Sequence, residues 1–195
     1  MSNITNLTKI VGLDFDNVIN DEAHITATSL AHPGVRTFNL DIGRAMIDPV
    51  RAARVQRICD ATGAGILLVT GWRRWTGWEE LAGLLKDNGI TAPVVGAVGG
   101  VRFSGDLRAS ATREWLDKNP HITRYAIIDD GTHYWRDYEG DRSPWKPFLV
   151  APTDGIEDEH VAQASPSSTD CEHHGHQDPQ GERGVCGRLG GRPPP

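Results

Sequence analysis

The sequence predicts an α/β domain built on a doubly wound parallel sheet. Three observations carry that expectation: four apolar runs are continuous rather than alternating, turn formers bound each of them, and helical patterns of crossover length separate most of them. The first run, residues 9–13 (KIVGL), has no polar face, as in a strand covered on both sides. Residues 21–45 break the alternation. Their Pro33-Gly34, Asn39 and the short mixed run at 35–38 predict a loop and a small β-hairpin over one sheet edge. A helix is expected over residues 48–63, with Asp48 as cap, Pro49 at the first helical position, Val50, Ala53 and Ile58 as an apolar stripe, and Gly63 as the stop.

The second strand is expected at residues 66–69. Residues 78–88 read as the next helix, with Trp78, Leu81, Leu84 and Leu85 on one face, acids near the start and Gly89 as a left-handed stop. The third strand falls at 94–98. The third crossover helix spans 107–119, where Ala111, Trp115 and Leu116 share a face and Pro120 ends the element. The fourth strand is expected at 125–128. Residues 164–195 are rich in Ser, Gly, Pro and His with almost no large apolar side chain, so burial does not offset the entropy of ordering them. A single domain over residues 1–163 with a disordered tail over 164–195 follows.

The 195 residues suit one hydrophobic core, and 38% apolar content excludes a wholly disordered chain. There are 26 acidic and 20 basic side chains, and residues 151–195 hold 8 of the former and 3 of the latter, so the body is nearly neutral. It lacks the overall basic footprint of a nucleic-acid binder. No run approaches the roughly 18 apolar residues of a spanning helix. Residues 1–10 have neither a basic start nor an apolar stretch, so a cytoplasmic location without a membrane partner is expected. Cys59, Cys171 and Cys186 match neither a disulfide framework nor a zinc ribbon, and the tail tract Cys171, His173, His174, His176 and Cys186 repeats no ligand spacing.

Ligands of an open parallel sheet sit beyond the carboxyl ends of its strands. Three runs finish in residues suited to chemistry: Asp14-Phe15-Asp16-Asn17, Thr70-Gly71 and Asp129-Asp130-Gly131. Strand geometry puts Asp14 and Asp16 on one side and turns Phe15 towards the core. Either acidic pair alone is explained as well by capping or turn formation. Together, three or four carboxylates at one edge repel one another, and a hard divalent cation such as Mg²⁺ is the direct means of keeping them ionised beside a phosphate. Such a site suits phosphoryl transfer. One carboxylate attacks phosphorus, a second passes a proton to the leaving group and then activates water, and Thr70 with N–H groups near Gly71 holds a phosphoryl oxygen.

The segments IVGLDFDNV at 10–18, LLVTGWR at 67–73 and IIDD at 127–130 resemble motifs I, II and IV of the haloacid dehalogenase (HAD) superfamily. More narrowly, TGWRRWTGWEEL and REWLDKNPHITRYAIIDD are similar to the small HAD-like domains of Swiss Army Knife RNA-repair proteins, over residues 10–164. The resemblance implies a Rossmann-like sheet, Asp14 as nucleophile, Asp16 as general acid/base and Thr70 on the phosphoryl group. It implies Mg²⁺ held by Asp14, the main-chain carbonyl of Asp16, and Asp129 with or without Asp130. Where the family usually places a Lys, at the start of the helix before motif IV, this chain has Arg108. Arg keeps the charge with a different geometry. A solvated helix residue is the alternative for Arg108, and Lys118 at the far end of that helix is the poorer candidate.

The gaps between the motifs are taken up by sheet elements and the excursion at 21–45, which leaves no room for a large cap module. Asn17, Gly71, Trp72 and Arg73 border the site and are the expected substrate contacts. Trp72, Trp75 and Trp78 with Arg73 and Arg74 can stack a nucleobase and clamp its backbone, but indoles packed on the domain are the favoured reading. Tyr134 and Trp135 either cover the site or anchor their loop. The expected function is a Mg²⁺-dependent phosphohydrolase working through an aspartyl phosphate on Asp14, with a phosphorylated small molecule or a nucleic-acid end as partner. A polynucleotide end phosphatase and a non-catalytic HAD-like binding protein are the alternatives.

Overall fold

The computed structural model describes residues 6–33, 39–98, 108–131, 134–135, 148–149 and 155–164. Among them the strands are β1 (Lys9–Leu13), β2 (Gly65–Leu68), β3 (Val94–Ala97), β4 (Arg124–Asp129) and β5 (Phe148–Leu149). All are parallel, in the order β3-β2-β1-β4-β5. Central β1 places Val11 opposite Ile66 of β2 on one side and opposite Ala126 of β4 on the other. The chain order reverses at β1, so the carboxyl ends of β1 and β4 flank the crevice where α/β sheets bind ligands.

The continuous apolar runs have a direct cause. Val11, Leu13, Ile66 and Leu68 face one core with Val55, Ile58, Leu81 and Leu84, whereas Ile10, Leu67, Val69 and Ile127 face a second core with Ala109 and Leu116. Alternate strand residues point to opposite faces, and both faces are covered. The helices that supply these covers are α3 (Pro49–Thr62), α4 (Trp78–Asp87) and α5 (Arg108–Lys118). The Asp48 carboxylate accepts from the Val50 N–H at 2.8 Å to start α3, and Gly63, at φ 68°, stops it.

Residues 21–45 correct the expectation of a loop and hairpin. Helices α1 (Glu22–Ala31) and α2 (Leu40–Met46) fill most of this span, and residues 34–38, which hold the mixed run, lie outside the described residues. Two caps start the helices: Asp21 accepts from the His24 N–H at 2.6 Å, and Asn39 from the Ile42 N–H at 2.9 Å. The one buried residue of α1 is Thr28, so the helix has no apolar stripe. A polar seam fixes it instead. Thr28 Oγ1 donates to the Ala45 carbonyl at 3.2 Å, and His24 Nε2 lies 2.9 Å from the same oxygen. Buried Arg51 of α3 pairs with Asp21 and, at 2.9 Å, with Glu157 just before α6 (Asp158–Ala164). Ala164, expected to open the tail, closes α6; residues 165–195, with the Cys and His tract, lie outside the described residues. Among the described residues no helix is long and apolar enough to cross a membrane.

Gly65 opens β2 where neighbouring chain crowds it. A Cβ there would lie 2.9 Å from the Pro93 carbonyl oxygen and 2.7 Å from Leu7 Cδ2. A main-chain oxygen cannot swing aside as a side chain can. Gly65→Ala is therefore expected to destabilise the fold by about 1–3 kcal/mol, read as a lower urea midpoint. An unchanged midpoint would show that the irregular β2–β3 register yields instead.

Candidate active site

Asp14 leaves β1 directly above its paired strand, its N–H donating to the Ile128 carbonyl at 3.1 Å. Phe15 turns into the core and is fully buried, as strand geometry predicts. The alternation ends there. The Val18 and Ile19 N–H groups both donate back to the Phe15 carbonyl, so Asp16 belongs to a helical turn and not to an extended strand.

Asp14 is 3% exposed and Asp129, the last residue of β4, is 0% exposed. Asp14 Oδ1 accepts from the Phe15 N–H at 2.8 Å, and Asp129 Oδ1 from the Gly131 N–H at 2.7 Å. Their other oxygens share one donor: Arg108 Nη1 lies 2.6 Å from Asp14 Oδ2 and 2.5 Å from Asp129 Oδ2. Arg108 is 5% exposed, which excludes the solvated alternative. Tyr134 stacks on its guanidinium at 4.2 Å from ring centroid to carbon, so this ring packs beside the two carboxylates.

One oxygen each from Asp14, Asp129 and Asp130 lie within 4.8 Å of one another. Asp130 is half-buried and held by Asn17, whose Nδ2 donates to Asp130 Oδ2 at 2.9 Å. Asn17 adopts φ 57°, a left-handed conformation that Asn tolerates, and its N–H donates to the side chain of buried Asn20 at 2.7 Å. The Asn17–Asn20 clamp was absent from the sequence expectation, although the three-residue spacing is its signal.

The Asp16 carboxylate does not join the trio. Its Oδ1 accepts from Trp72 Nε1 at 2.7 Å. Thr70, fully buried, caps a 3-10 turn (Gly71–Arg74) by accepting from the Trp72 N–H at 3.2 Å. Trp72 departs from the expected role of substrate contact: its ring is 1% exposed and packs edge-on against Phe15, with centroids 5.2 Å apart. Trp78 also packs on the core, in line with the favoured reading. Trp75 differs, at 53% exposed with Arg74 over its ring. Arg73 Nη1 donates to the Val98 carbonyl at 2.9 Å, just past β3.

Charge is unevenly balanced in this crevice. Burial, reinforced by Asp129, pushes the Asp14 carboxyl up to about 7 against the opposing pull of Arg108. Burial likewise raises Asp129, again opposed by Arg108, and raises Asp16, opposed by the Trp72 hydrogen bond. Burial works against the Arg108 charge, but Asp14 and Asp129 outweigh it and raise the guanidinium above its ordinary value. An all-oxygen donor set with more negative charge than one arginine balances fits a hard divalent cation such as Mg²⁺.

Residues 10–161 match the family model of the HAD domain in Swiss Army Knife RNA repair proteins. The chain belongs to that family. This HAD domain is a HAD-like hydrolase whose carboxylate trio stands at the switch point of its sheet. No curated protein and no solved structure matches it.

Proposed function

We propose that this HAD domain hydrolyses phosphate monoesters through a phosphorylated Asp14, with Asp14, Asp129 and Asp130 as the side chains that hold Mg²⁺. The trio itself carries the reading: three carboxylates from two strand ends converge where two of them are also bound to one buried arginine. Bound Mg²⁺ would offset the negative charge of these carboxylates and of the phosphate. Asp14 forms a bond to phosphorus as the bond to the leaving oxygen breaks, and Asp16 gives that oxygen its proton. Asp16 then takes a proton from water as the water oxygen attacks phosphorus and the Asp14–phosphorus bond breaks, which returns both carboxyls to their first state. Thr70 and the turn that follows it hold a phosphoryl oxygen. Arg108 Nε is buried without a partner among the described residues, a donor left over for a second one.

A nucleic-acid end is the narrower reading of the substrate. The family's description places such domains in RNA repair proteins, and exposed Trp75 with Arg74 follows the Thr70 turn, where a base can stack. Phosphate release from p-nitrophenyl phosphate, a sugar phosphate and a 3′-phosphorylated RNA oligonucleotide tests both levels. Turnover is expected in Mg²⁺ and lost after chelation, and kcat/KM for the oligonucleotide should fall as salt rises. A protein that releases phosphate from none of the three in Mg²⁺ would be the non-catalytic alternative.

A further inference from the structure

Trp72 is fixed from three sides. Its main-chain N–H is spent on Thr70 Oγ1, its ring edge packs on Phe15 between the two motif I aspartates, and its indole N–H reaches Asp16 Oδ1 at 2.7 Å. Its side chain is buried at 1% exposure, with the one polar atom of the ring spent on Asp16. Nothing in general core packing requires a buried indole to aim its one polar atom at the proposed proton donor.

We infer that Trp72 is a positioning residue for proton transfer, holding the Asp16 carboxyl in the orientation that serves the leaving group. This rests on the reading of Asp16 as general acid and base. An indole N–H only donates, so Asp16 Oδ1 is held as an acceptor and a proton carried by this carboxyl sits on its other oxygen. The same turn also sets Thr70: with the Trp72 N–H directed at Oγ1, the hydroxyl hydrogen is left for a phosphoryl oxygen. One residue thereby links the phosphate-holding turn to the proton-handling carboxyl, and an off-axis Asp16 loses efficiency although nothing that touches substrate has been removed.

Leaving-group dependence separates this role from mere packing. An alkyl phosphate needs its departing oxygen protonated, whereas p-nitrophenolate leaves without a proton. Trp72→Phe keeps a ring against Phe15 and deletes the donor. It is expected to lower kcat/KM for the alkyl phosphate relative to p-nitrophenyl phosphate by about ten- to a hundredfold. Equal losses on both esters, or no loss, overturn the inference. Asp16→Asn in the same assays checks the underlying reading: if that variant loses no more on the alkyl phosphate than on p-nitrophenyl phosphate, the Asp16 acid and base reading fails, whereas its selective loss on the alkyl phosphate beside an undiscriminating Trp72→Phe removes the positioning role alone. A second measurement leaves Trp72 intact in case its replacement does not fold. With ¹⁵N-indole label, Asp16→Ala is expected to shift one buried indole N–H signal and speed its solvent exchange. Indole signals unaltered from the wild type would also overturn the inference.

Discussion

Asp14→Asn is expected to lower kcat/KM for every phosphate ester by at least about a thousandfold while leaving the metal-free fold as stable as the wild type or more so. The amide copies the shape of the carboxyl but has no anionic oxygen to attack phosphorus. Stability moves the other way because the buried acid is strained by its own charge. Its ordinary value of 3.8 rises to about 7 on folding, so the folded protein holds that proton more tightly than the unfolded chain. The resulting stabilisation is complete below about pH 4 and is lost as pH rises through about 7. Asparagine does not ionise, so the Asp14 share of this decline disappears. Melting temperatures of both proteins across that range in chelator give the comparison. Ordinary turnover by the variant would remove Asp14 as nucleophile; a wild type that gains stability relative to the variant between those limits would contradict the charge imbalance.

Most of the sheet and little of its excursion was legible in the sequence. Runs such as 9–13 and 66–69 declare themselves because both faces of the sheet are covered, and α3 carries its own start and stop in Asp48, Pro49 and Gly63. Helix α1 hides because it buries a threonine and docks through a carbonyl, and β5 because two residues make no pattern. In the site, Asp14, Thr70 and Asp129 are legible as strand ends. Of their partners, Arg108 is legible only through the family resemblance, and Trp72 is named only as a substrate contact. Arg108 meets carboxylates 94 and 21 residues away, and Trp72 meets one 56 residues away, distances over which only the assembled topology decides contact. The strand rule that pairs Asp14 with Asp16 does not reach this far: β1 ends at Leu13, and Asp16 sits in the helical turn that follows.

Removing the charge of Arg108 is expected to cost more stability than any other single change in the crevice. Arg108→Met deletes the cation that one nitrogen offers to both Asp14 and Asp129 and leaves two buried carboxylates facing each other. Breaking a buried pair from one side costs about 3–5 kcal/mol. The loss depends on pH in a defined direction. Without arginine both carboxyls are held still further above their ordinary values, so the variant approaches the wild type in acid, where they are protonated, and falls furthest behind above neutrality. Added Mg²⁺ should recover much of the deficit, because the ion supplies to the same oxygens the charge that was removed. Arg108→Lys keeps a positive charge but not the planar fork, so it should retain most of the stability and less of the activity. Urea midpoints at acidic and alkaline pH, with and without Mg²⁺, resolve these cases. A methionine variant that unfolds at the wild-type midpoint under all four conditions would mean that the arginine does not hold the aspartates together, and the crevice would then need another source of balancing charge.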